Sequence, residues 1–151
     1  MTAHIRAFEA AGAVSVSDLI STTLRTSNAR DYSGDFLSNV EASLTAISLC
    51  DLARERTILV AVDGDAVVET ASLGEGQVHA VFVHPARQGR GIGRRLMERI
   101  ESEARARGDR MLILYSSLSA VPFYETTGWR TVPEHDDGDA RLVVMTKRLG
   151  A

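Results

Sequence analysis

Three glycines at alternate positions, Gly89, Gly91 and Gly93, stand between an apolar run and an amphipathic one, with Gln88, Arg90, Ile92 and Arg94 among them. Glycine lets a ligand approach the main chain closely. A helix that starts on such a loop directs its first N–H groups, which have no intrahelical partners, and roughly half a positive charge at whatever binds there. The expected ligand of residues 88–94 therefore bears a phosphate. Two familiar phosphate loops fail on inspection. The Walker pattern requires a lysine after its last glycine, and this loop has none. The dinucleotide fingerprint G-x-G-x-x-G fits Gly89 and Gly91 but meets Arg94 at its third place.

The elements that must position this loop can be read from periodicity. The apolar stretch 77–83 reads as a strand, Pro85 marks a turn, and residues 91–107 read as a helix. Ile92, Leu96, Ile100 and Ala104 form the buried face of that helix, Met97 widens it, and Glu101 with Arg105 forms an outer i,i+4 pair. Residues 110–115 form the next strand, making a βαβ unit around the glycines. Upstream, Asp63-Gly64-Asp65 predicts a hairpin between strands 57–62 and 66–73, and Gly74-Glu75-Gly76 a second turn. Earlier still come a short strand at 4–8, a helix at 16–26 capped by Ser15 or Ser17, a polar loop at 27–35 and a helix at 36–54 with Ile47 and Leu49 on its apolar stripe. Downstream, a short helix at 119–127 admits Pro122 only in its first turn. A strand at 129–132, an acidic turn-rich stretch at 133–139 and a last strand at 142–147 follow. This order predicts an α+β fold: a mixed, mainly antiparallel central sheet flanked by helices.

The 151 residues read as one domain, and a net charge of −3 argues against a general nucleic-acid binder. The single cysteine, Cys50, excludes an internal disulfide, gives no metal cluster and reads as a buried, inert thiol. Without a charged leader or an apolar run of about 18 residues, the expectation is a soluble cytoplasmic chain with no membrane partner.

Gln88-Gly89-Arg90-Gly91-Ile92-Gly93 resembles the Q/R-x-x-G-x-G/A pyrophosphate loop of the GCN5-related N-acetyltransferases. Val81-Phe82-Val83-His84-Pro85 resembles that family's strand before the loop. Ala120-Val121-Pro122-Phe123-Tyr124-Glu125-Thr126-Thr127-Gly128-Trp129 resembles its A-x-x-F-Y-E-x-x-G-F segment, with Trp for the usual Phe. The resemblance is specific over residues 78–130 and compatible in pattern over 57–77.

It implies a GNAT fold, acetyl-CoA as cofactor, and transfer of its acetyl group to a primary amine by direct attack in a ternary complex. The backbone of Gly89, Gly91, Ile92 and Gly93, with Gln88 and the Arg90 and Arg94 side chains, would hold the pyrophosphate. Arg95 and Arg99, further along, read as a solvated helix face. The resemblance puts the pantetheine arm between two splayed strands, against Val81, Phe82 and Val83, with a backbone N–H of Val81 or Phe82 facing the thioester oxygen. Tyr124 would be the general acid that protonates the leaving thiolate. Ser117 stands where many relatives carry an Asn that bonds the pantetheine. For the general base, His79, which strict alternation puts on one face with Val81 and Val83, competes with Glu69 and with a water chain. His84 belongs to the turn. Asn28, Arg30, Asp31 and Tyr32 are candidates for the acceptor side; Asp31 or Asp35 would either attract a cationic amine or serve as a cap or turn residue. The acceptor would be a small-molecule or peptide amine, and a homodimer is a candidate assembly. A non-catalytic acyl-CoA-binding module and transfer of another acyl group remain open alternatives.

Overall fold

The computed structural model describes residues 3–29, 31–89, 91–133 and 142–150. Among them, seven strands form one sheet: β1 (His4–Ala7), β2 (Thr57–Asp63), β3 (Ala66–Gly74), β4 (Gln77–Val83), β5 (Met111–Ser116), β6 (Arg130–Thr131) and β7 (Val143–Arg148). Their order is β1-β2-β3-β4-β5-β7-β6. Only β4 and β5 run parallel; every other neighbouring pair is antiparallel. The expected mixed, mainly antiparallel sheet is what forms, and the meander turns where glycine permits: Gly64 and Gly76 both take positive φ.

Helices cover both faces. On one side lie α1 (Ala13–Thr26), α2 (Gly34–Ser43) and α3 (Ala46–Leu52), whose Val16, Ile20, Leu24, Leu37 and Leu49 close over Val60 and Phe82. On the other lie α4 (Ile92–Ala106) and α5 (Val121–Thr126). Leu96, Met97, Ile100 and Ala104 of α4 meet Leu59, Ala71, Leu73, Leu112 and Leu114 there. Side chains as completely buried as Leu96 and Ile100 contribute about 1.5–3 kcal/mol each, and truncating one to alanine costs about 2–5 kcal/mol.

Several boundaries differ from the sequence expectation, each for a local reason. The first helix begins at Ala13, drawn forward by a 3-10 turn at Ala10–Gly12, so neither Ser15 nor Ser17 caps it. The helix expected over 36–54 is two. It breaks at Leu44 and Thr45, where the Thr45 hydroxyl accepts the Ser48 N–H at 3.2 Å and starts α3 afresh. The break resets the helical phase and leaves Ile47 79% exposed. Cys50, on α3, is half-buried rather than enclosed. Glu101 does not reach out to Arg105; it is buried and pairs with Lys147 of β7 at 2.9 Å. Arg95 is likewise not merely solvated, since its Nη2 donates to the Ala3 carbonyl at 3.0 Å. The acidic stretch read as a turn lies, from residue 134, outside the described residues. Among the described residues no helix is long and apolar enough to cross a membrane.

Candidate active site

The glycine loop connects β4 to α4. Gln88 anchors it: its Nε2 donates to Ser27 Oγ at 3.0 Å and to the Val83 carbonyl at 3.2 Å, tying the loop to the end of α1. His84 is structural, as expected, its Nδ1 accepting the Ala86 N–H at 3.1 Å. Gly89 and Gly91 adopt φ of +79° and +78°, which L side chains rarely take. A Cβ at either would meet nothing within 4 Å. Their glycines answer to backbone conformation, and the space before them is open. Gly93 answers to crowding: a Cβ there would lie 3.2 Å from Glu69 Oε2 and 3.3 Å from Phe123 Cζ. Glycine lets the first turn of α4 settle on β3 and α5.

Gly91 is the N-cap of α4, and the helical ladder opens with Arg95 N–H to the Gly91 carbonyl at 3.2 Å. The amides of Ile92, Gly93 and Arg94 therefore point out of the helix end. The Ile92 side chain is core, beside Ala3, Ala61 and Val68. Arg94 is exposed and lines a separate polar cleft with Glu98, Arg105 and Lys147. Arg90 lies outside the described residues.

Beyond the loop, β4 and β5 touch and then part. A single pair, Gln77 with Ile113, joins them, supported by Ile113 N–H to the Gly76 carbonyl at 3.1 Å. Further along, the β4 edge has no ladder partner on that side. A bulge helps to turn it away. Ser72 faces His79 and Thr70 faces Phe82, so β4 carries one more residue than β3 over this span, with Ala80 at φ +52°. The bulge breaks the alternation. His79 shares a face with Phe82, under α1 and α2, and not with Val81 and Val83 as strict alternation implied.

The gap widens into a cavity of about 400 Å³. Residues 78–82 of β4 and 114–117 around the end of β5 line it, Tyr124 enters from α5, and Tyr32, Phe36 and Val40 roof it. The roof is fastened across the gap. Ser119 Oγ donates to both Asp31 carboxylate oxygens at 2.7 and 2.9 Å, and Ser117 lies close enough to Tyr32 to temper the rise in its pKa. Asp31 is thus engaged in holding the roof, and Asp35 sits in the first turn of α2, away from the cavity lining.

Tyr124 is 5% exposed, and its ring packs edge-on to Phe123 at 5.2 Å and Trp129 at 6.1 Å. Burial, with lesser contributions from Glu69 and Tyr32, raises its pKa well above that of a free phenol. Tyr32 is pushed up to about 12, mainly by burial and then by Asp31. Both stay protonated at neutral pH. His79 is half-buried, and burial first, then the Arg56 charge, lower its pKa, against the opposing pull of the Gly74 backbone and Glu75. Its imidazole is neutral at pH 7 and free to accept a proton. Glu69, the competing base, does not line the cavity. It is 0% exposed on the α4 face, with no hydrogen-bond partner for either oxygen, and burial lifts its pKa to about 8.

The sequence reading brought Tyr124, His79, Val81, Phe82 and Ser117 to the cavity wall and missed Arg56, which also lines it. Arg56 stands in the charged run Arg54-Glu55-Arg56, which reads like a solvated turn. Among the described residues no group of His, Cys, Asp and Glu is placed to hold a metal ion.

A family model described as an acetyltransferase (GNAT) domain matches residues 29–149. A GCN5-related N-acetyltransferase from Rhodopseudomonas palustris superposes with a TM-score of 0.84 at 24% identity, covering 99% of this chain and 97% of that one. The PaiA N-acetyltransferase from Thermoplasma acidophilum, solved in complex with coenzyme A, also gives 0.84 at 16% identity, covering 98% and 99%. An IAA acetyltransferase from Azospirillum brasilense is 44% identical over 59 residues, a stretch that spans 37% of this chain and 39% of that relative. With the family model matched over most of its length, on a fold that superposes nearly end to end with these structures, this chain belongs to the GNAT acetyltransferase family.

Proposed function

We propose that this protein moves an acetyl group from acetyl-CoA to a primary amine, the amine attacking directly in a ternary complex. The observation that carries the reading is the parting of β4 and β5 after one pair, beside a glycine loop whose open side faces a helix N-terminus. Those features fit coenzyme A. Two left-handed glycines with empty space before them, and outward amides at Ile92, Gly93 and Arg94, suit a pyrophosphate. Gln88 sets the loop, and Arg90 and Arg94 are the cationic candidates beside it. The unpaired β4 edge at Val81, Phe82 and Val83 suits the amide-bearing pantetheine arm. Ser117 lines the gap and has a hydroxyl oxygen that can accept from it.

Bound acetyl-CoA supplies an activated acetyl thioester. The chain's own residues supply the rest. A main-chain N–H of Val81 or Phe82 polarises the carbonyl, an effect worth several kcal/mol when one donor is well aimed. Neutral His79 takes the proton that the amine loses. Tyr124 donates a hydrogen bond to sulfur as negative charge grows there. Because burial makes Tyr124 a weaker acid than free phenol, full transfer from it is uphill. The proton balance closes when the one lost by the amine, passed through solvent, ends on the thiol.

The test is a thermal-shift assay with acetyl-CoA, ATP and NAD. Only acetyl-CoA is expected to raise the melting temperature, by about 2.7 kcal/mol of stabilisation at a hundredfold excess over Kd. No shift with acetyl-CoA overturns the reading.

A further inference from the structure

The acceptor end of the cavity has a chemistry of its own. Its wall is apolar where α2 and α3 form it, through Phe36, Val40, Leu44 and Leu52. No Asp or Glu is among the described residues that line it, and its one permanent charge is Arg56. The guanidinium has no hydrogen-bond or ion-pair partner among the described residues. The nearby acid, Glu75, is exposed in the β3–β4 turn and does not line the cavity.

The arginine is seated rather than loose. It is half-buried between α3 and β2, and its stem lies across the end of β3. A Cβ on Gly74 would come within 2.9 Å of Arg56 Cγ, so the bare glycine backbone is what makes room for that stem. Arg56 is also close enough to His79 for its charge to act on the imidazole.

Resting on the acetyltransferase reading, we infer that the acceptor is an amine carrying a free carboxylate and an apolar side chain, as an apolar amino acid does, with Arg56 binding the carboxylate. The amine then lies toward His79 and Tyr124, and the side chain lies against the α2–α3 wall. A guanidinium is suited to this because its planar fork matches a carboxylate in two parallel hydrogen bonds. A diamine or polyamine would bring its second cation to a wall that has a positive charge and no counter-ion. Binding also prepares the base: once the carboxylate neutralises Arg56, one influence that weakens His79 as a proton acceptor is gone.

The experiment compares initial rates of thiol release from acetyl-CoA with leucine, leucinamide, isopentylamine and putrescine, alongside the acetyl-CoA thermal shift. Leucine is expected to exceed the other three in kcat/KM by roughly 10- to 100-fold, the usual worth of a hydrogen-bonded charge pair. In Arg56→Met the leucine-to-leucinamide ratio should fall toward one, mostly through KM. Gly74→Ala, which keeps the guanidinium but displaces its stem, should lower the same ratio. Equal or better rates with leucinamide or putrescine, or a ratio that Arg56→Met leaves intact, would overturn the acceptor assignment while the acetyltransferase reading stands. Absence of an acetyl-CoA shift together with no thiol release from any amine would overturn both.

Discussion

Tyr124 and Glu69 are both buried beside the reaction site, yet they answer different questions. Tyr124→Phe keeps the ring against Phe123 and Trp129 and removes only the hydroxyl. If that hydroxyl supports the leaving sulfur, turnover falls about 100-fold or more while acetyl-CoA affinity changes little. Stopped-time thiol assays beside titration calorimetry separate the two, and unchanged turnover would return Tyr124 to a packing role. His79, with its pKa below the usual 6.5, predicts a kcat/KM that is flat near neutrality and falls only as the imidazole protonates below that value. His79→Ala should lose this acidic limb together with most of the rate. Glu69 predicts a stability effect. Its folded pKa of about 8 stands above the ordinary 4.5, so the unfolded chain releases the proton first. Stability is lost as pH rises from about 4.5 to about 8 and is constant above. The whole effect amounts to roughly 4 to 5 kcal/mol. Glu69→Gln should therefore gain melting temperature over the wild type by an amount that grows between about pH 5 and pH 8. A gap that does not change with pH would contradict the assignment.

Among the elements, the glycine loop makes the sharpest prediction. Gly91→Ala forces a side chain into a left-handed conformation at a cost of about 1 kcal/mol. Gly91→Asp adds a negative charge before the pyrophosphate and should abolish acetyl-CoA binding in calorimetry; retained affinity would mean that the ligand lies elsewhere. The elements were legible to different degrees. The hairpin on Asp63-Gly64-Asp65 and the βαβ unit follow from turn chemistry and periodicity, which are local signals. The break at Thr45 is also a local signal, a hydroxyl three residues before Ser48, masked by an apolar stripe that continues past it. The bulge at Ala80 has no such mark. An alanine at φ +52° is held there by the shifted register of β4 against β3, a long-range effect that alternation along β4 does not carry, so His79 lies on the opposite face from the one alternation implies. Arg56 was invisible for a related reason: its role depends on Gly74, eighteen positions away in the chain.

Across the whole molecule, two cores on opposite faces of one sheet hold the cleft between them. The α1–α3 core carries the roof, and the α4–α5 core carries the loop and Tyr124. The sheet parts between β4 and β5, where the two cores meet. The motifs at residues 88–94 and 120–129 also meet here, Gly93 lying against Phe123. Acetyl transfer itself is best tested by mass spectrometry of the amine after incubation with acetyl-CoA and the protein. One added acetyl group per amine is expected, matched by one free thiol, with no thiol released when the amine is omitted. Thiol release without an acetylated amine, or bound acetyl-CoA that no amine discharges, would contradict it.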